Sequence, residues 1–197
     1  MPSSLLILLL LPFMAAAALA LIPRFSRSAA GWVALAAPLA GCALLAALTP
    51  SIVKGQVLRD VWQWVPTLGL DITLRMDGLA WMFAGLVLGI GVLVVQYARH
   101  YLAPEDSARR FFCYLMLFMG AMLGMVLSGN LLLLMVFWEL TSISSFLLIG
   151  FWSHRQDARE GARMALVVTG GGGLALLGGV LLIGRIGERS KAVLKAR

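Results

Sequence analysis

Acidic side chains, histidines and cysteines are scarce in this chain: nine Asp and Glu, two His and two Cys among 197 residues. Metal cages are built from these residue types, and no second His, Cys or carboxylate recurs at ligand spacing around His100 or His154. Each of those histidines sits in a charged connection and reads as a solvated or interfacial residue, so no metal site is expected. No nucleophile and base constellation, dinucleotide fingerprint or haem-type pair is present either, and no bound cofactor is expected. Cys42 and Cys113 lie in two different apolar runs, where a thiol behaves as a small hydrophobe, and a disulfide between them is not expected.

Charge as a whole is sparse at 13%, against 61% hydrophobic residues, so most of the length has no polar face to offer water. A hydrocarbon core roughly 30 Å thick takes about 20 apolar residues per helix. Six stretches qualify as spans: 4–22, 29–51, 78–98, 111–127, 131–152 and 164–183, the fifth interrupted by one carboxylate. A separate soluble domain does not fit. The first stretch lacks the basic leader of a secretory signal and is read as a retained helix, although Ala15 to Ala20 imitates a small-residue cleavage site.

Lys and Arg outnumber Asp and Glu by 16 to 9, a balance that in a soluble protein suggests nucleic acid. Here the basic residues fall between the apolar runs, where they orient a protein in a bilayer, and no nucleic-acid partner is expected. Arg24, Arg27, Arg99, Arg109, Arg110, Arg155, Arg159 and Arg163 lie in connections on one side, against Lys54, Arg59 and Arg75 on the other. Eight against three predicts the N-terminus outside, in an inner (plasma) membrane. Arg185, Arg189, Lys191, Lys195 and Arg197 add five to the outer side and level the count, which marks the end of the chain as unlike an ordinary loop.

The connection from Lys54 to Asp77 is different in kind. From Leu68 to Asp77 apolar and polar residues alternate strictly, with Leu68, Leu70, Ile72, Leu74 and Met76 on one side. Period two predicts a strand. Val57 to Val65 is rich in Val and Trp, and Pro66-Thr67 supplies a turn, so a β-hairpin on the outer membrane surface is expected between the second and third helices. Trp62, Trp64 and Trp81 suit an interfacial belt. The fold expected is therefore an all-α membrane protein of about six transmembrane helices with a small extracytoplasmic hairpin.

Glu139 lies in the middle of the fifth span. An ionised carboxylate there costs at least about 2.5 kcal/mol on insertion scales, so the group holds a proton unless a cation pairs with it. A carboxyl that changes its protonation with its surroundings is what a proton relay needs; hydrogen-bonded glue between helices is the structural alternative. Thr141, Ser142, Ser144 and Ser145 can serve either role, Ser142 sharing the Glu139 face. Gly85 with Gly89, and Gly120 with Gly124, repeat at four-residue spacing and predict close helix packing. The run Gly170 to Gly173 has no Lys-Ser/Thr after it and reads as close packing or a flexible helix start rather than a phosphate loop.

Phe118-Met119-Gly120-Ala121-Met122-Leu123-Gly124, followed by Val136-Phe137-Trp138-Glu139-Leu140-Thr141-Ser142-Ile143-Ser144-Ser145 and on to Trp152, resembles the large A-type component of the Mrp-type multisubunit sodium/proton antiporters. The wider superfamily includes the antiporter-like membrane subunits of respiratory complex I, which also carry a Trp-Glu pair in the fifth helix. The resemblance runs from the N-terminus to Ile183. It implies an outward N-terminus, an external hairpin, other membrane subunits as partners, sodium and protons as the ions, and Glu139 as a member of the proton or cation pathway. Family members continue through many more helices, with lysines that partner this glutamate and a broken helix. After Gly187 their Gly-Ser-Tyr-type continuation is replaced here by the basic stretch 188–197. The expectation is an N-terminal antiporter module over 1–183 and a basic, truncated or atypical tail over 184–197. The alternative readings are a proton-pumping subunit of an NADH-quinone oxidoreductase and a non-conducting membrane scaffold.

Overall fold

The computed structural model describes residues 4–22, 26–65 and 70–195, with side chains over 4–22, 26–62 and 71–184. The chain order is α1 (Ser4–Leu21), α2 (Arg27–Val53), β1 (Leu58–Val65), β2 (Leu70–Met76), α3 (Gly78–Tyr101), α4 (Ala108–Leu127), α5 (Leu131–Ile149) and α6 (Gln156–Lys195). All six helices are long and apolar enough to cross a membrane, and the chain is a multi-pass membrane protein.

Short polar residues set the helix starts. Ser26 caps α2, its Oγ accepting from Ala29 N at 3.2 Å; Asp77 caps α3, its carboxylate accepting from Ala80 N at 2.9 Å; Asn130 caps α5, accepting from Leu133 N at 2.7 Å. The Ala80 amide, with Arg75 at 3.0 Å, holds the Asp77 carboxyl below the usual carboxylate range. After α2 the chain turns through Gly55, whose φ of +76° lies in the left-handed region that glycine adopts without strain.

The hairpin pairs β1 and β2 antiparallel, with Trp62 opposite Ile72 and Leu58 opposite Met76. Leu74 and Met76 are buried at 1% and 0% while Arg75 is exposed, as the alternation predicts. The Pro66-Thr67 turn and the Trp64 side chain lie outside the described residues. The hairpin is fastened to the helices: Gly129 N donates to Thr73 O at 2.7 Å, Asn130 Nδ2 to Asp71 O at 2.8 Å, and Leu5 N to the Asp60 carboxylate at 3.2 Å. Trp81 is tied to α2 through Nε1, which reaches Thr49 Oγ1 at 3.2 Å.

At the opposite end, arginines neutralise the carbonyl ends of the helices that finish there. Arg109 donates to Leu19 O and Ala20 O of α1, each at 3.2 Å; Arg27 donates to Leu102 O and Ala103 O after α3; Arg110 donates to Phe151 O after α5 at 3.2 Å. Three odd-numbered helices end on this side, and each presents the negative end of its dipole to a guanidinium. The side chains that the loop count uses to orient the protein therefore also hold neighbouring helices together.

α4 is the central helix, packed on α1, α2, α3, α5 and β2, whereas α6 packs mainly against α5. Two glycines of α4 admit aromatic rings: a Cβ at Gly120 would meet Phe13 at 2.9 Å, and one at Gly124 would collide with the Phe137 ring. The expected partner pair in α3 behaves otherwise. A Cβ at Gly85 would make only ordinary contact with Leu45 and one at Gly89 would meet nothing within 4 Å; Gly91, where a Cβ would collide with Met119, is the tightly packed glycine of α3. Cys113 Sγ donates to Ala16 O at 3.4 Å across the α1–α4 contact.

Candidate functional site

The start of α5 is anchored twice by Asn130, whose carbonyl oxygen caps the helix and whose amide donates to the hairpin. Glu139 follows nine residues later, roughly 13 Å along the axis at 1.5 Å per residue. That depth is about half of a 30 Å hydrocarbon core. The residue before it, Trp138, is partly exposed, and the one before that, Phe137, faces inward against Gly124 with its ring 6.5 Å from that of Phe13. Glu139 is half-buried and turned towards α6.

The contact with α6 is specific. A Cβ built on Gly173 would overlap Oε1 of Glu139, with Cδ at 2.9 Å and Trp138 Cδ1 at 3.4 Å; at Gly170, Gly171 and Gly172 it would meet nothing within 4 Å. One glycine of the four therefore makes the close approach. The run also sits well inside α6, which begins at Gln156, rather than at a helix start. Among the described residues no hydrogen bond or ion pair reaches the Glu139 carboxyl.

Three hydroxyls of α5 turn back onto their own helix. Thr141 Oγ1 donates to Trp138 O at 2.6 Å, Ser142 Oγ to Trp138 O at 3.2 Å, and Ser144 Oγ to Leu140 O at 2.7 Å and Thr141 O at 3.2 Å. Each hydroxyl proton is thereby satisfied in an apolar setting. Ser142 and Ser144 are 4% and 1% exposed, yet neither is bonded to Glu139. The site is one carboxyl between two helices, close to mid-span, with its oxygen on bare backbone. An intramembrane carboxyl of this kind is by default a candidate for an ion or proton pathway.

His100 and His154 are far from this carboxyl in the chain and exposed, His100 Nδ1 lying 3.0 Å from Gln96 O of its own helix. The role of Gly173 escaped sequence reasoning because the four glycines of the run are chemically identical. The signal available was the helical phase that puts one of them opposite Glu139.

Residues 62–112 match the family model for the N-terminus of chain 5 of NADH-ubiquinone oxidoreductase (complex I), and residues 128–191 match the NADH:quinone oxidoreductase/Mrp antiporter transmembrane model. The chain belongs to the complex I and Mrp antiporter family. It is 53% identical over 180 residues to the A/B component of a probable K(+)/H(+) antiporter of Rhizobium meliloti, covering 91% of this chain and 18% of that protein. It is 43% identical over 178 residues to the A1 component of a Na(+)/H(+) antiporter of Staphylococcus aureus, covering 90% and 22%. The chain thus spans about a fifth of the length of these relatives. The Mrp complex from Dietzia sp. DQ12-45-1b contains a chain of the same fold, with a TM-score of 0.78 at 32% identity over 93% of this chain and 20% of that one. A chain of an archaeal membrane-bound sulfane sulfur reductase shares the fold alone, with a TM-score of 0.77 at 21% identity over 95% of this chain and 28% of that one. The first antiporter-type match ends near the α3–α4 connection, and the second contains α5, Glu139 and Gly173.

Proposed function

We propose that this chain is part of a monovalent cation/proton antiporter complex and that Glu139 lies in its proton or cation pathway. The observation that carries the reading is a half-buried carboxyl at mid-span of α5, inside the segment that matches the antiporter transmembrane model. Exchange of internal sodium for external protons is the proposed activity. Residues 1–183 act as an antiporter module, the basic stretch 184–197 lies outside it, and further membrane subunits complete the ion path. The membrane is the plasma membrane, with the N-terminus and hairpin outside and the arginine-rich end inside, as the loop count favours.

The test is made on inverted vesicles carrying the whole complex and a preformed proton gradient. Sodium should collapse the gradient faster than in vesicles without the complex. Potassium acting alone would move the substrate to the ion that the Rhizobium meliloti relative is named for. No collapse with either ion would contradict antiport. The complex I family model supports a second reading, a proton-pumping subunit beside redox partners. Purification of the chain with flavin or iron-sulfur proteins would decide for it.

A further inference from the structure

A cavity of about 470 Å³ opens at the arginine-rich end between α4, α6 and the turn that leaves α5. Arg110, Arg159 and Arg163 line it together with Ser153, and among the described residues no carboxylate does. Arg159 and Arg163 stand one helical turn apart, on one face of α6. Arg110 is held in place by its bond to Phe151 O and by the Phe151 ring, 5.2 Å below its guanidinium.

Of the carboxylates at this end, Glu105 is exposed and outside the cavity wall, and three others have partners elsewhere. Asp106 accepts from Trp152 Nε1 at 2.9 Å, Asp157 lies 3.7 Å from Arg155, and Glu160 accepts from Gln156 at 2.8 Å. Three permanent positive charges therefore line one cavity whose wall, among the described residues, holds no acidic side chain, which favours a bound anion. The rest of the wall is Tyr114, Phe146 and Leu147, whose surfaces suit hydrocarbon. A ligand that fills both halves carries a phosphate at one end and an acyl chain at the other.

The geometry points to a binding site for an anionic phospholipid, with the headgroup phosphate on Arg110, Arg159 and Arg163 and the first part of an acyl chain along Phe146 and Leu147. Basic pockets between transmembrane helices recognise such headgroups, each nearby basic residue contributing about fivefold in affinity. The site stands apart from Glu139 and does not depend on the antiport reading. It makes the packing of α6 against α5 sensitive to lipid charge.

The 197-residue chain in detergent micelles, titrated with phosphatidylglycerol and followed by native mass spectrometry, tests the assignment. Phosphatidylglycerol should bind at least about tenfold more tightly than phosphatidylcholine. Arg159→Gln and Arg163→Gln should each weaken it about fivefold and the double variant about 25-fold. Arg155→Gln, outside the cavity, should change it less than about twofold. Equal binding of the two lipids, or full affinity in both single variants, would overturn the site. Displacement of phosphatidylglycerol by inorganic phosphate at equal concentration would reassign it to a free anion.

Discussion

The carboxyl of Glu139 on α5 rests directly on the backbone of Gly173 on α6, at a point where any side chain on α6 would occupy the same space. The neighbouring Gly172 has open space around it. Gly173→Ala should therefore displace the carboxyl and reduce exchange severalfold in the assembled complex, while Gly172→Ala leaves exchange unchanged. Glu139→Asp, one methylene shorter, makes room for the added methyl, so the double variant Glu139→Asp with Gly173→Ala should exchange faster than Gly173→Ala alone. Sodium-driven collapse of a proton gradient measures all of these proteins. Equal loss in the Gly172 and Gly173 variants would show that α6 matters here as a helix and not as a surface for the carboxyl.

Gly124 bears on stability rather than on transport. The Phe137 ring fills the space where a side chain at Gly124 would go, and both helices are held at that spacing by the interior. Gly124→Val should cost about 1–3 kcal/mol through overpacking. Gly89→Ala, whose new methyl meets nothing within 4 Å, should be neutral or stabilise by up to about 1 kcal/mol. Thermal unfolding of the purified chain in one detergent compares them. A Gly124 variant as stable as its parent would mean that α4 and α5 separate at little cost.

Much of the fold is legible in the sequence because the bilayer imposes it. Apolar runs of span length became helices, and the alternation through Leu74, Arg75 and Met76 became a strand with one buried face. The starts of α4 and α6 were less visible. Arg109, Arg110, Arg159 and Arg163 read as loop residues by their charge, yet they sit within the first two turns or so of helices that extend beyond the apolar run. Likewise α5 ends at Ile149, three residues before its apolar run does, which frees Phe151 O for Arg110. Glu139 stood out as a carboxylate among apolar residues. Its contact did not, because spacing identifies glycines that share a face but not the helix that meets the face. The same limit made Gly85 and Gly89 look equivalent to Gly120 and Gly124.

The two ends of the helix bundle differ enough for a labelling experiment to orient it. Gln56 is exposed beside the hairpin, and Glu105 is exposed at the arginine-rich end. In a background with Cys42 and Cys113 replaced by Ala, Gln56→Cys should react with an impermeant thiol reagent in intact cells. Glu105→Cys should react only after permeabilisation. The opposite pattern would invert the orientation and put the arginines outside.

Glu139→Gln tests the central claim most directly, because the amide keeps the size and hydrogen-bonding capacity of the side chain and removes its exchangeable proton. A neutral amide is cheaper to bury than a carboxylate, so the complex should assemble normally. The measurement is the initial rate of sodium-driven collapse of a preformed proton gradient in inverted vesicles, normalised to assembled complex. The account predicts a rate near that of vesicles without the complex for Glu139→Gln, and a partial rate with an altered pH profile for Glu139→Asp. A Glu139→Gln complex that exchanges as fast as its parent would contradict it and leave Glu139 as packing between α5 and α6.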